Sequence, residues 1–540
     1  MHATMMNDPL TTNHLLERAA TLFGEVEIVS QAPDKSLRRH TYADLRRRSR
    51  ALAKGLLDAG LQKGDRVATL MWNHHAHMEV YFGVPMAGGV YHTLNLRLSP
   101  EDLAHICSDA GDRYLVIDDV LLPLMAKFGD KPPFEKIFVV RWTDQELPEG
   151  FVDFESVLAT EDLEGWTSPP IDELDPVGMC YTSGTTGQPK GVVYSHRATV
   201  LHSLASALPD CLNLSVSDCL CAVVPMFHVN AWGLPFTATM LGAKQVHPGP
   251  HLQPDALLDL YEKEQVTVSA GVPTIWMGIM KLVEAQPDKW KLAEGLRMVV
   301  GGSAAPESMI DNMDRMGMTV IHAWGMTETT PLGAVSRLRP QHEQLPKAEQ
   351  LKIRAKQGTP PPFVHMRLVD DQGAAVAWDG QSMGELQVRG PWIAASYHNG
   401  GAPEKWTEDG WFRTGDVVTI SADGYMQITD RTKDLVKSGG EWISSVALEN
   451  ALMGHPDVAE AAVVAVPHPK WSERPIAVVV AKEGKTLDDA ALTAYLAERF
   501  EKWWLPDGFE HRDTIPRGAT GKFLKRELRG QLAGWFEEPT

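Results

Sequence analysis

Apolar positions along this chain recur in two rhythms, a helical spacing and short continuous runs, and the two alternate from the start. Residues 11–24 place Leu15, Leu16, Ala19, Leu22 and Phe23 at helical spacing, and Thr41-Tyr-Ala-Asp-Leu opens a longer helix to about Gly60. Asp65–Leu70 predicts a buried strand and Met78–Ala87 a helix. Ser99 caps a further helix, and Tyr114–Asp118 and Lys136–Val140 read as strands. Between Leu147 and Pro176 acidic and proline residues thicken without strong periodicity, which predicts a connector. Strands alternating with helices place the chain in the α/β class.

Farther on, Val177–Cys180 and Val192–Tyr194 are apolar runs on either side of Tyr181–Gly191, YTSGTTGQPKG, so the segment reads as strand, glycine-rich loop, strand. A helix is expected over Ser195–Ala207. From Met226 to Ala243 there is no acidic or basic side chain, only His228 and Asn230 as polar interruptions; a core helix and a pocket wall explain this equally. The apolar runs Val268–Val272 and Met298–Gly302 end in small residues. The second puts Gly301, Gly302 and Ser303 at a strand end, where α/β sheets commonly place ligands. Val320-Ile-His-Ala-Trp-Gly-Met-Thr-Glu ends likewise in Trp324, Gly325, Thr327 and Glu328. From Met383 to Asp430 short strands with Gly-rich turns take over, and Lys433 begins a second compact unit with helices at Val446–Met453 and Asp488–Phe500, strands near Val463 and Val478, and a basic tail.

At 540 residues the chain exceeds what one core usually supports, so two or more domains are expected. A net charge of −19 argues against nucleic acid and anionic membrane as partners, while leaving room for a small anion held by a few local lysines. Five cysteines without framework spacing fit a reduced, cytoplasmic setting, and they read as core residues because no His/Cys pair recurs at metal-ligand spacing. No run of about 18 apolar residues predicts a membrane span, and no basic start followed by an apolar stretch predicts export.

The Tyr181–Gly191 loop carries the first candidate chemistry. Gly184 and Gly187 let backbone N–H groups turn inward, Thr182, Ser183, Thr185 and Thr186 add donors, and Lys190 supplies charge, so phosphate is the natural guest. Pro189 separates Gly187 from Lys190, which excludes the nucleotide loop that opens a helix in Gly-Lys-Ser/Thr. Composition alone would also describe a solvent loop.

With YTSGTTGQPKG, PMFHVNAWG, VVGGSAAP, WGMTET, GWFRTGD, DRTKDLVKSGGEWIS and IPRGATGKFLKREL in this order, the chain resembles the adenylate-forming superfamily of acyl-CoA synthetases, peptide-synthetase adenylation domains and beetle luciferases. Within it, KWWLPD and DRTKDLVKSGGEWIS look most like medium-chain fatty acyl-CoA ligases and 3-methylmercaptopropionate-CoA ligases. The resemblance implies a large N-terminal domain, residues 1–430, of packed α/β sheets with a small β-barrel-like subdomain. It further implies a hinge at 431–433 and a small mobile α+β domain over 434–540. The expected reaction uses ATP, Mg²⁺ and CoA: a carboxylic acid becomes an acyl-adenylate with loss of pyrophosphate, and the acyl group then passes to CoA with loss of AMP.

The same resemblance assigns roles by position. Thr185 and Glu328 are expected at Mg²⁺, which suits a hard cation with oxygen ligands. Thr182, Ser183, Gly184, Thr186, Gly187, Lys190, Gly302, Ser303, Ala304, His322, Ala323, Gly325, Met326 and Thr327 are expected to wall the nucleotide. Trp324 matches a position, usually tyrosine, whose ring lies against adenine. Asp416 is expected to accept from the ribose hydroxyls and Arg431 to lie near the same sugar. Lys522 occupies the position of the mobile adenylation lysine, which bridges the substrate carboxylate and the α-phosphate; one cation among Arg517, Lys525, Arg526 and Arg529 on a solvated basic helix is the plain reading of the same residue. Lys433 is the expected pivot, and Lys437, Gly439, Gly440, Glu441 and Trp442 the expected CoA tunnel. His228, Asn230, Trp232 and Gly301 are expected in the acyl pocket. Amino-acid-activating relatives place an aspartate in the segment equivalent to Pro225–Gly233, which here holds no acid, so a simple carboxylic acid of short or medium length fits, a methylthio acid among the candidates. Loading of a free carrier protein, luciferase-like oxidation and a non-catalytic nucleotide sensor are the alternatives. Many relatives are homodimers, which sets the expected assembly.

Overall fold

The computed structural model describes residues 4–128, 134–158, 163–182, 188–439, 441–517 and 523–536. The described residues fall into two compact units, those within 1–184, 188–365 and 389–412 and those within 366–388 and 413–540.

The first unit is built on two sheets. A seven-stranded sheet runs in the order Val152–Asp153, Lys136–Val140, Asp112–Asp118, Arg66–Leu70, Val90–Thr93, Pro176–Tyr181, Gly191–Ser195. Its pairings are parallel except the last, an antiparallel hairpin. An eight-stranded sheet runs Leu332–Val335, Thr319–Gly325, Arg297–Val300, Val268–Gly271, Cys219–Ala222, Lys244–His247, Glu27–Gln31, Leu37–Thr41, parallel in its interior and antiparallel at both edges. Cys219–Ala222 is the switch strand: the chain leaves it for Lys244–His247 on one side and returns to Val268–Gly271 on the other, which opens a crevice at its carboxyl end.

Helix Tyr42–Asp58 starts where the sequence pattern puts it, because Thr41 and Asp44 form a reciprocal capping box. Ser99 caps Pro100–Ala110 through the Asp102 N–H, and Ser195 caps His196–Ala207 through the Ala198 N–H. Helix His75–Met86 begins three residues before the predicted Met78. Its first turn is rich in histidine and reads as polar, yet all twelve of its residues are buried, in one core with residues of both sheets. The predicted connector before Pro176 contains the edge strand Val152–Asp153 and the helix Phe154–Leu158; both are too short to print a period. Met226–Ala243 is neither a single helix nor a plain wall: a left-handed turn precedes a short buried helix, Leu234–Leu241.

His365–Val369, Gly384–Arg389, Phe412–Ile420 and Met426–Arg431 form a four-stranded sheet that belongs to the second unit in all but its end residues His365, Arg389 and Phe412. A five-stranded sheet orders Glu441–Ile443, Val436–Ser438, Ser472–Ala481 and Val458–His468, with Gly508–His511 also paired to Ser472–Ala481. Alternation along its long hairpin sends Ala461, Val463, Ala477 and Val479 against helices Ser445–Met453 and Asp489–Ala497. Ala462, Val464, Ile476 and Val478 go to the other face, against helix Lys525–Leu532. All five cysteines are free and buried, as expected of core residues.

Candidate active site

The Tyr181–Gly191 hairpin, the candidate phosphate loop, closes on itself at its base. The Thr182 N–H donates to the Lys190 carbonyl at 2.9 Å, and the Lys190 N–H donates to Thr182 Oγ1 at 3.0 Å. Two β-strands thus hold the ends of the loop in fixed register, as the strand–loop–strand pattern predicts. Ser183, Gly184, Thr185, Thr186 and Gly187 lie outside the described residues.

Glu328 stands on a single turn, Thr327–Thr329, just beyond strand Thr319–Gly325. Its side chain is buried, and Tyr397 Oη donates to its Oε1 at 2.5 Å. Among the described residues no Lys or Arg stands within ion-pair distance of it. A buried carboxylate without such a partner is costly unless a cation or strong donors compensate, so its oxygens fit the hard divalent ion that the nucleotide chemistry calls for. Lys190 Nζ lies over the Tyr397 ring, 5.8 Å from its centroid, so one phenol has the cation of the loop on its face and the buried acid on its hydroxyl. Burial, reinforced by the Glu328 charge, pushes the Tyr397 hydroxyl well above its ordinary pKa and keeps it a donor. Tyr397 carried no signal in the sequence beyond lying between two strand patterns.

Trp324 is buried, and its ring lies so close to the neighbouring edge strand that a Cβ on Gly333 would sit 2.3 Å from it. Gly325 is required beside it, since a Cβ there would meet the Pro331 carbonyl oxygen at 1.9 Å. His322 is buried with Nδ1 3.0 Å from the Ala355 carbonyl oxygen, and burial lowers its pKa to about 4, so the ring is neutral. Gly302 adopts a φ of 78°, open to glycine without strain, at the end of strand Arg297–Val300. Ser303, Ala304, Ala323, Met326 and Thr327 continue the same two strand ends, and the Thr327 carbonyl accepts from Tyr194 Oη at 2.9 Å.

The crevice at the switch strand holds the acyl-pocket candidates. Asn73 fixes the chain leaving Cys219–Ala222 by donating to the Ala222 and Val224 carbonyls and accepting from the Met226 N–H. His228 lines a small cavity with Thr93, Asn95, Tyr181, Thr182 and Phe227, which places it beside the base of the phosphate loop. Val229, Asn230, Ala231, Trp232 and Gly233 then take positive φ in succession, 46°, 56°, 50°, 59° and 69°. For Val229, Ala231 and Trp232 this conformation is unfavourable by roughly 1–2 kcal/mol each, while Asn230 tolerates it better, and tight surroundings hold it. The Cys180 thiol donates to Asn230 Oδ1 at 3.3 Å, the Trp232 ring covers Gly301 so closely that a Cβ there would be 2.9 Å away, and Gly233 lies against the His202 ring. In the same core, the Tyr81, Tyr91 and Phe236 rings pack as a triangle, with Tyr81 4.5 Å from Tyr91 and 5.4 Å from Phe236, and Tyr91 6.4 Å from Phe236 between centroids.

In the second unit, Asp416 and Arg431 face each other across adjacent strands, with Asp416 Oδ1 3.0 Å from Arg431 Nε. The predicted ribose acid and its neighbouring base are therefore brought together. Lys437 pairs in register with Trp442, its Nζ 5.8 Å from that ring. Gly439 has a φ of 61° and donates its N–H to the Trp471 carbonyl at 2.8 Å. Gly440 and Lys522 lie outside the described residues, and of Glu441 only the backbone is described. Burial, with Arg431, Arg529 and Lys525 nearby, lowers the Lys433 pKa. The solvated-helix reading of the basic tail fails at Lys525, which is half-buried and ion-paired with Glu449 at 2.7 Å while also donating to Ser445 Oγ.

Residues 16–398 match the model of the AMP-binding enzyme family, and residues 447–522 match the AMP-binding enzyme C-terminal domain. The chain belongs to the AMP-binding enzyme family. It is 47% identical over 538 residues to a long-chain-fatty-acid–CoA ligase of Thermus thermophilus, covering 99% of this chain and 98% of the relative. To a 3-methylmercaptopropionyl-CoA ligase of Ruegeria pomeroyi it is 45% identical, with 98% and 99% covered. The solved anthranilate CoA ligase AuaEII in complex with anthranoyl-AMP shares the fold, with a TM-score of 0.84 at 24% identity, covering 98% of this chain and 99% of that one.

One further cluster in this AMP-binding enzyme has metal-binding residue types. Ligand atoms of His40, His75 and Glu79 lie within 4.8 Å of one another. The two imidazoles stack nearly parallel at 4.1 Å, so their in-plane lone pairs do not converge on one point, and Arg48 donates to both Glu79 oxygens. The cluster is a packed core feature. Among the described residues no helix is long and apolar enough to cross a membrane.

Proposed function

We propose that the chain is an AMP-forming acid–CoA ligase acting on a short- or medium-chain carboxylic acid, 3-methylmercaptopropionate among the candidates. In the first half-reaction a carboxylate oxygen attacks the α-phosphorus of ATP and pyrophosphate leaves. In the second the CoA thiol attacks the acyl carbon and AMP leaves. The observation that carries this reading is Glu328, a buried carboxylate without a Lys or Arg partner among the described residues, held by the hydroxyl of the same phenol whose ring face carries the loop cation Lys190. Glu328, and by resemblance Thr185, would hold Mg²⁺, which would supply charge neutralisation for the polyphosphate. Lys190 and the loop donors bind phosphate, Trp324 packs against the base, Asp416 and Arg431 bind ribose, and Lys522 draws the two anionic reactants together. Lys433 serves as the pivot that exchanges Lys522 for the Lys437–Trp442 hairpin when CoA is to react.

The acid class follows from the switch-strand crevice. Pro225–Gly233 offers no carboxylate to an ammonium group, which fits an acid without one. The two named relatives act on acids of very different length, so length must be set locally. Trp232 against Gly301, with the Tyr81, Tyr91 and Phe236 ring cluster in the same core, supports a limited depth. A cytoplasmic setting fits the five free, buried thiols, and a homodimer is proposed from the resemblance, to be tested by light scattering against the 59.6 kDa chain mass. The activity test is CoA-dependent AMP formation across C2 to C12 acids and methylthio acids. AMP release with a carrier protein but not with CoA would favour carrier loading, and no turnover with any acid would favour a sensor.

A further inference from the structure

We propose that Tyr397 is a positioning residue for the metal-binding acid: its hydroxyl claims Glu328 Oε1 and so presents the other carboxylate oxygen to the divalent cation, while its ring face steadies Lys190. This rests on the acid–CoA ligase reading, in which Glu328 holds Mg²⁺. A glutamate's terminal torsion is broad and roughly two-fold, so an unrestrained carboxylate would not favour one oxygen. The 2.5 Å contact from Tyr397 Oη is a short, charge-assisted hydrogen bond, and it is the partner of that carboxylate among the described residues.

The phenol is itself locked. Its ring meets Trp406 edge-on at 5.0 Å and 78°, Trp406 Nε1 donates to the Ala394 carbonyl at 2.7 Å, and the Ala394 N–H donates to the Glu328 carbonyl at 2.8 Å. Segment 389–412 therefore grips Glu328 by backbone and side chain at once, from 69 residues away in sequence. On the ring face, Lys190 Nζ at 5.8 Å is near the outer limit of a cation–π contact. A single side chain thus faces both the cation of the loop, on its ring, and the candidate metal-binding acid, on its hydroxyl.

The test is Mn²⁺ affinity of the full chain with a non-hydrolysable ATP analogue present, read by electron paramagnetic resonance as loss of the free-ion signal. Tyr397→Phe keeps the ring and removes only the donor; its Mn²⁺ dissociation constant should rise roughly tenfold, the range of outer-shell partners of metal ligands, with affinity for the analogue alone unchanged. Tyr397→Leu should also weaken the analogue, because Lys190 loses the ring. Trp406→Phe, which loosens the Ala394 anchor and spares the site, should weaken Mn²⁺ several-fold and serves if Tyr397→Phe does not fold. Wild-type Mn²⁺ affinity in Tyr397→Phe, or in Trp406→Phe where that variant stands in, overturns the proposal while leaving the ligase reading intact. A wild-type protein that binds Mn²⁺ but shows no acid-dependent pyrophosphate exchange overturns the ligase reading instead.

Discussion

The left-handed turn at Val229–Gly233 makes a quantitative prediction through a pair of alanines. Ala231 (φ 50°, ψ 42°) and Ala238, in the following helix Leu234–Leu241, are both fully buried, so Ala→Gly removes the same methyl group at two backbone conformations. At Ala238 the change forfeits about 0.8 kcal/mol of burial and about 1 kcal/mol of helix preference, close to 2 kcal/mol in all. At Ala231 the burial loss is the same and glycine's extra unfolded-state freedom costs roughly 0.5–1 kcal/mol. Relief of a left-handed L-residue returns about 1–2 kcal/mol, so the net change should be near zero. Urea unfolding of both variants, followed by tryptophan fluorescence, should show Ala238→Gly destabilised by about 1–2 kcal/mol relative to Ala231→Gly. Equal destabilisation, or a larger one at Ala231, would show that the turn stores no strain. If the strain is there to fix Asn230 and Trp232, Ala231→Gly should also raise KM for the acid while leaving KM for ATP unchanged.

Acid should destabilise the first unit through its buried neutral histidines. Burial lowers His202 and His247 to about 3 and His322 to about 4. The Leu332 N–H donates to His202 Nε2, which requires that nitrogen unprotonated. Folded pKa values below the unfolded 6.5 mean that this stability is complete above about pH 6.5 and is lost progressively as pH falls toward 3, by about 2 kcal/mol per ring at pH 5. A urea midpoint that stays flat between pH 7 and pH 5 would contradict this. In the second unit, Lys525→Met strands Glu449 as a buried lone charge and should destabilise by about 3–5 kcal/mol, whereas Lys525→Met with Glu449→Leu should be far milder; equal losses in denaturant unfolding would remove the pairing argument. Lys522→Ala should nearly abolish adenylation yet largely spare thioester formation from supplied acyl-adenylate, and equal loss in both half-reactions would remove that assignment.

The fold was readable where pattern and capping agreed. Thr41, Ser99 and Ser195 announce their helices because a side-chain oxygen satisfies backbone donors that are otherwise unpaired. The start of His75–Met86 was not, because periodicity treats histidine as polar while His77 is paired inside the core with Thr69 and the Trp72 carbonyl. The site was legible as motifs, since strand-end glycines and the Tyr181–Gly191 hairpin are local chemistry. Tyr397 and Trp406 were invisible because their role depends on a chain return that no local spacing encodes. The left-handed turn was likewise hidden: of its four non-glycine residues Asn230 alone has a propensity for positive φ, Val, Ala and Trp have none, and tertiary contacts with Cys180, Gly301 and His202 impose it.

Isotope exchange tests carboxylate activation most directly. Purified protein with Mg²⁺, ATP and a suitable carboxylic acid should incorporate labelled pyrophosphate into ATP only when the acid is present, and adding CoA should convert the bound adenylate to thioester and free AMP. Absence of exchange across the full panel of acids, or exchange indifferent to the acid, would contradict activation of a carboxylate as its adenylate.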